Sequence, residues 1–102
     1  MEIREKTVDR NLLLELSGEL DHHAARKAME EMEMAIDAAV PLKLVLDLGG
    51  VTFMDSSGVG LIMGRYRLMN LLGGTVSVTG CSDRVRKMLA LAGMDRLKII
   101  QG

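Results

Sequence analysis

Residues 51–66 read VTFMDSSGVGLIMGRY, and the change from strand to helix within this stretch decides the fold. An apolar strand over residues 42–48 leads into it, and a helical pattern that ends at Gly73-Gly74 leads out of it. Between them, Asp55-Ser56-Ser57-Gly58 places an N-cap aspartate and two hydroxyl groups at the start of the helix. Such a turn presents free backbone N–H groups and the positive end of the helix dipole, so it favours an anion such as a phosphate.

The composition fits one domain over residues 1–102 with a modest core. Aromatic residues make up only 2% of the chain, so Met, Leu, Val and Ala must fill that core. The net charge of −1 argues against a general binder of nucleic acid or of anionic membranes. The single cysteine excludes an internal disulfide, and the chain shows neither a signal core nor a membrane-length apolar run. We therefore expect a cytoplasmic protein, and a monomer because no large apolar surface is evident.

The apolar periodicity predicts an α/β protein with the element order ββαβαβαβ. The predicted elements are strands over 3–8 and 12–16, a helix over 22–40, a strand over 42–48 that Gly49-Gly50 breaks, the central helix, a strand over 75–79, a short helix after Ser82 and a last strand over 97–100. Strands that alternate with helices form a mostly parallel sheet, here with one antiparallel edge strand. Polar residues share one register of the strands, so we expect the main helices to cover one face and leave the other partly open to water.

Ser57 is the candidate functional residue, as a serine that is modified and not as a catalyst. Parallel sheets place ligands at the carboxyl ends of their strands, which is where this turn lies. A phosphate would add about −1.5 to −2 charges, which the helix dipole tolerates but which a partner packed against the turn would reject. Spacing alone leaves open the plainer interpretation that the Asp-Ser-Ser-Gly sequence merely caps a helix.

Gly60 and Gly64 lie on one face of the central helix, although each helical glycine costs about 1 kcal/mol relative to alanine. Two interpretations fit this pair: tight packing of the helix on the sheet, or a smooth docking face for a partner. Arg65 and Tyr66 would either rim that face or be a solvated charge and a half-buried ring.

Asp21 and the adjacent His22-His23 form a second cluster, and we expect it at the same sheet edge as Asp55. Adjacent helical residues point about 100° apart, which argues against a shared metal and for an N-cap followed by surface histidines. Enzyme motifs are absent from the sequence, since it has no Gly-x-Ser-x-Gly elbow, Walker loop or dinucleotide fingerprint. Cys81, at a strand end, is expected to be a small buried hydrophobe.

Two motifs together resemble the STAS family, in particular its bacterial anti-anti-sigma factors of the sporulation branch. They are GELDHH at 18–23 and FMDSSG at 53–58, the second followed by Gly60 and Gly64-Arg65-Tyr66, and the similarity runs from about residue 12 to residue 100. The resemblance implies a STAS fold and a partner switch. In that switch the unphosphorylated domain binds an anti-sigma factor that is itself a serine kinase, and this frees the sigma factor. The kinase uses ATP to phosphorylate the second serine of the motif, Ser57 here, the phosphorylated domain dissociates, and a metal-dependent serine phosphatase resets it.

The resemblance also implies which residues contact the partner. They are Asp21, His22, Asp55, Ser56, Ser57, Gly58, Gly60, Gly64 and Arg65. It implies no catalytic residue, metal or cofactor in the domain itself, since the kinase supplies the ATP. Two alternatives stay open: a stress-response or signalling-scaffold STAS subunit with a different kinase, and a STAS domain that binds nucleotide weakly. The sporulation branch usually continues into a C-terminal helix, so contacts of such a helix are not carried over to a sequence that ends at Gln101-Gly102.

Overall fold

The computed structural model describes residues 1–101 and confirms an α/β fold with the helices and strands in the predicted order. The elements are β1 (Glu2–Val8), β2 (Asn11–Leu20), α1 (His22–Ala39), β3 (Lys43–Met54), α2 (Ser56–Leu71), β4 (Thr75–Thr79), α3 (Asp83–Leu91) and a 3-10 helix over Met94–Leu97. The sheet has the order β1-β2-β3-β4. β1 pairs with β2 in the antiparallel direction, and the other two pairs are parallel, as the alternation of strands and helices predicts.

The register of the sheet separates a buried face from an open one. Leu14 of β2 lies beside Leu46 of β3, which lies beside Val78 of β4, and all three are fully buried. The alternate residues, such as Glu15 and Asp47, are only partly buried. The leucines and valines of one face form the core together with Ala28, Met32 and Ile36 of α1 and with Leu61, Ile62 and Met69 of α2. The helices therefore cover one face, as the polar register of the strands predicts.

Strands β2 and β3 are longer than the sequence indicates, and the predicted break at Gly49-Gly50 is wrong. The two strands stay paired through this segment with a shift of register between Glu15 and Ser17. Ser17 lies opposite Gly50, where an added Cβ would be 2.6 Å from the Ser17 Cβ. Glycine therefore allows close approach at the irregularity instead of ending the strand. The pair continues to Leu20 and Met54, which carries both of the following turns to the same edge of the sheet.

The last predicted strand, over 97–100, is reduced to a single parallel bridge between Val78 and Ile100. The 3-10 helix occupies Leu97, and Lys98 after it has a left-handed backbone with a φ of 56°. The Val78 N–H donates to the Ile99 carbonyl at 2.6 Å, and the Gln101 N–H donates to the Val78 carbonyl at 2.7 Å. The chain thus becomes extended only after Lys98, where it pairs with β4 in the parallel direction through this one bridge.

Candidate functional site at the carboxyl edge of the sheet

Two capping aspartates begin the helices at this edge. The Asp21 carboxylate accepts a hydrogen bond from the Ala24 backbone N–H at 2.9 Å, and the Asp55 carboxylate accepts one from the Ser57 N–H, also at 2.9 Å. Both aspartates have extended backbone angles, as expected for an N-cap. The caps predicted for α1 and α2 are therefore confirmed, and the hydroxyl groups of Ser56 and Ser57 belong to the first turn of α2.

The two helix starts lie side by side because their strands end side by side. Leu20 is the partner of Met54 in the parallel ladder, and the Asp55 N–H donates to the Leu20 carbonyl at 3.4 Å. The N-termini of α1 and α2 thus share one edge, and their dipoles bring two positive ends to it. The expectation that Asp21 lies at the same sheet edge as Asp55 is confirmed.

A contact between the two motifs is the feature that sequence reasoning missed. The Nδ1 atom of His22 lies 3.2 Å from the Ser57 Oγ, within hydrogen-bonding distance. His22 is exposed and Ser57 is partly exposed, so the pair faces the surroundings. The tautomer of the imidazole decides which of the two atoms donates. The two residues are 35 positions apart, and no local signal predicts this pair, since it follows from the strand register and the helix packing.

This serine–histidine pair lacks, among residues 1–101, the carboxylate partner that a catalytic triad would add. A catalytic imidazole needs a third group that orients it, usually a carboxylate. The carboxylates nearest in the chain, Asp21 and Asp55, are both hydrogen-bonded to backbone N–H groups at the helix starts. Among residues 1–101, no carboxylate forms a hydrogen bond with either histidine. The pair is therefore suited to holding the Ser57 hydroxyl group in place.

Gly58 lies on the buried side of the first turn of α2 and packs against the ends of β2 and β3. It is buried, and an added Cβ would lie 2.4 Å from the Met54 Cγ and 3.1 Å from the Leu20 Cδ2. The missing side chain lets the first turn of α2 approach the ends of both strands. Gly58 therefore allows the neighbouring Ser57 to lie close to the strand ends.

A groove of about 330 Å³ runs between α1 and α2 and begins at Ser57. The residues that line it are His22, Ala25, Arg26, Met29, Ser57, Gly60, Leu61, Gly64 and Arg65. A Cβ added at Gly60 or Gly64 would meet no other part of the molecule within 4 Å. The interpretation that these glycines allow tight packing on the sheet is therefore wrong. The two glycines instead leave open space in the groove beside Ser57, which agrees with the docking-face interpretation.

Arg65 is buried in the wall of this groove, with only 6% of its surface exposed. Its Nη1 lies 3.9 Å from the Glu33 Oε1 of α1, too far for a hydrogen bond, and both Nε and Nη1 are without a hydrogen-bond partner. Burial lowers the pKa of the guanidinium, and the charge of Glu33 opposes that shift. Of the two interpretations left open for Arg65, the solvated charge is therefore wrong, and Tyr66 is partly buried.

Three other features bear on the function. Within residues 1–101, no cluster of three or more His, Cys, Asp and Glu side chains could hold a metal ion. In the same part of the chain, no helix is both long and apolar enough to cross a membrane. Burial raises the pKa of the half-buried Cys81 thiol, Arg86 lowers it and Asp47 raises it, so this side chain is disfavoured as a thiolate.

Comparisons with known proteins agree with this geometry. The profile of the STAS domain matches residues 2–101. The anti-sigma F factor antagonist of Paenibacillus polymyxa is 40% identical over 84% of this chain and 74% of its own, and that of Lysinibacillus sphaericus is 35% identical over 81% and 71%. The structure of the anti-sigma factor antagonist SpoIIAA in its unphosphorylated form is 30% identical over 98% of this chain and 86% of its own, with a TM-score of 0.84. The phosphorylated form of SpoIIAA from Bacillus is similar with 27% identity over 98% and 89% and a TM-score of 0.79. By its sequence, its sheet and its two capped helix starts, the chain belongs to the STAS family.

Proposed function

We propose that this protein is an anti-sigma factor antagonist controlled by phosphorylation of Ser57. In its unphosphorylated form it binds an anti-sigma factor that is a serine kinase, and this binding releases the sigma factor. The kinase then transfers the γ-phosphoryl group of ATP to Ser57, and the product dissociates. A serine phosphatase removes the phosphate and restores the binding form. Relatives named as anti-sigma F factor antagonists and a relative described in a phosphorylated form support this assignment.

The observation that carries the proposal is the position of Ser57 in the first turn of α2 and at the end of the groove. Ser57 is partly exposed and lines the groove, so a kinase active site can approach it without unfolding the domain. The groove between α1 and α2 begins beside it. The residue that would be modified therefore lies inside the surface that would bind.

The switch follows from the charge that a phosphate adds. It would bring about −1.5 to −2 charges to a helix N-terminus, whose dipole stabilises an anion there. The domain is therefore expected to stay folded. A partner that covers Ser57 would have to bury this charge close to the carboxylates of Asp21 and Asp55, which opposes docking. Modification would thus end binding without a change of fold.

The same proposal fixes the role of the other predicted residues. Asp21 and Asp55 hold the two helix starts, His22 orients the Ser57 hydroxyl group, and Ser56, Gly60 and Gly64 belong to the contact surface. We assign no reaction to the domain itself, which acts as a substrate and a binding partner in the cytoplasm. ATP is bound by the kinase, and the domain has no cofactor of its own.

The test is the intact mass of the protein after incubation with the candidate anti-sigma kinase and ATP. We expect one added phosphate on the wild type and none on Ser57→Ala. Ser56→Ala is the matched control, because it removes the neighbouring hydroxyl group, and it should be phosphorylated like the wild type. Phosphate on Ser57→Ala would move the site to another residue, and no phosphate on any variant would contradict the proposed kinase relationship.

The nucleotide-binding alternative is separated by equilibrium dialysis with GTP and with ATP in the absence of kinase. We expect no saturable binding. Saturable binding that is lost in Asp21→Ala would assign a nucleotide site to the domain and would overturn the statement that only the kinase holds ATP.

A further inference from the structure

We propose that the groove between α1 and α2 receives an acidic side chain of the anti-sigma kinase, and that buried Arg65 is the group with which it pairs. This inference rests on the proposed function, because it assumes that the kinase docks beside Ser57. It adds the chemistry of the contact at Arg65, which the resemblance implies only as one of several contact residues.

The charge of the groove is the first argument. Its lining contains Arg26 and Arg65 but no aspartate and no glutamate, whereas the chain as a whole carries a net charge of −1. The positive ends of the α1 and α2 dipoles lie at the Ser57 end of the same groove. A partner with an acidic side chain is therefore complementary to this groove, and one with a basic side chain is not.

The state of Arg65 is the second argument. Two of its guanidinium nitrogens are buried without a hydrogen-bond partner, and the side chain is 6% exposed. A buried charge that is poorly paired destabilises a domain, and an apolar side chain of similar volume is commonly as stable or more stable in its place. Folding therefore does not account for an arginine here. Nε and Nη1 are shielded in the free domain, so the guanidinium would have to turn toward the groove to meet a partner's carboxylate. That carboxylate would supply the missing acceptors, since the planar guanidinium binds carboxylates with two parallel hydrogen bonds.

Glu33 is the internal competitor for this site. It approaches Arg65 from α1, but its carboxylate stays 3.9 Å from Nη1, and about half of its side chain is exposed. It can therefore swing into the surroundings without leaving a buried charge behind. A docked carboxylate would take its place beside the guanidinium.

The distance between Ser57 and Arg65 explains how phosphorylation would act on this contact. The two residues are eight positions apart in α2, which is about 12 Å along a helix axis. A phosphate on Ser57 would be added at the N-terminal end of this span. It would place its charge at the other end of the same groove, where it would reduce the positive potential and repel an acidic occupant.

The test measures the affinity of the unphosphorylated protein for the anti-sigma kinase, loaded with a non-hydrolysable ATP analogue, by titration calorimetry. Arg65→Met removes the charge and nearly preserves the volume. We expect it to lower the affinity by about tenfold to a hundredfold, in line with the loss of hydrogen bonds to a charged group. Its thermal unfolding should occur at the same or a higher temperature than that of the wild type.

Glu33→Gln is the matched control that distinguishes a contact with the partner from a contact within the domain. If Arg65 serves the partner, removal of the competing carboxylate leaves the affinity unchanged or raises it. If Arg65 only holds Glu33, then Glu33→Gln weakens binding as Arg65→Met does, and the inference is overturned. Arg65→Lys covers the case in which Arg65→Met does not fold. It keeps the charge but loses the two-pronged donor, and we expect at least about a threefold loss of affinity.

The two proposals fail in different ways. A wild-type protein that does not bind the kinase would contradict the proposed function. A wild type that binds, together with a folded Arg65→Met that binds equally well, would contradict the role of Arg65 and leave the proposed function intact.

Discussion

Helices α1 and α2 begin in the same way and differ in what they present outward. Each starts with an aspartate cap at the carboxyl edge of the sheet, and each packs an apolar face on the same side of that sheet. The outer face of α1 is mostly charged, with exposed Lys27, Glu30 and Asp37. The side of α2 that borders the groove instead carries Gly60 and Gly64.

The difference shows which helix is explained by folding alone. A charged outer face and a buried inner face are what a helix on the surface of a domain requires, and α1 has both. In α2, by contrast, two glycines weaken the helix, no packing requires their lack of side chains, and the adjacent arginine is buried with poor pairing. These residues lower the stability of the free domain. We therefore interpret the groove side of α2 as shaped by a partner and the outer face of α1 as shaped by solvent.

Ser57→Asp, at the start of α2, is expected to change the affinity for the kinase more than any other variant. A permanent carboxylate at the groove should reduce kinase affinity by about a hundredfold or more through like-charge repulsion and desolvation. The thermal unfolding temperature should stay close to that of the wild type, because the helix N-terminus tolerates the charge. Asn70→Asp is the control, since Asn70 is exposed on the same helix but does not line the groove. A folded Ser57→Asp that binds tightly, or equal losses for both variants, would contradict the groove mechanism.

Gly58→Ala tests the buried side of α2. The added Cβ would overlap Met54 and Leu20, so we expect a loss of about 1–3 kcal/mol in the free energy of unfolding. Urea denaturation followed by circular dichroism measures this loss. A stability equal to that of the wild type would show that α2 does not need close approach at its first turn.

Asp21→Ala and Asp55→Ala test the aspartate N-cap with which both helices begin. Each removes one cap hydrogen bond to a backbone N–H, and each should lower the free energy of unfolding by about 1 kcal/mol. The matching Asn variants should recover most of the loss because the amide oxygen can still accept. Very different losses at the two caps would show that the helix starts are not equivalent.

Gly60→Ala and Gly64→Ala are expected to give the smallest changes in the free energy of unfolding. A stabilising change would show that folding does not require glycine at these positions. Each added methyl group meets open space, so each variant should gain about 0.5–1 kcal/mol in the free energy of unfolding while binding the kinase less tightly. Glu30→Ala on the outer face of α1 is the control and should change neither quantity appreciably. A glycine variant that is more stable and binds equally well would remove the partner explanation for that residue.

Local signals were sufficient for most of the elements and for both helix starts. Alternating leucines predicted β3, and aspartate before a helical pattern predicted both caps, because strand alternation and capping depend on neighbouring residues. The same signals failed where a distant strand decides the outcome. Gly49-Gly50 indicated a break, yet pairing with β2 keeps this segment in the sheet. Local signals also did not predict the positive φ at Lys98. The last strand is reduced there to a single bridge.

The sequence by itself determined the α/β class and the helix starts, since each depends on residues within a few positions of one another, and the two motifs of the STAS resemblance made Ser57 the candidate. Only the tertiary structure decided that His22 contacts Ser57, that Gly60 and Gly64 are open, and that Arg65 is buried next to Glu33. These three features depend on the pairing of β2 with β3 and on the distance between α1 and α2. That geometry arises from contacts between residues far apart in the chain, and no local pattern encodes it.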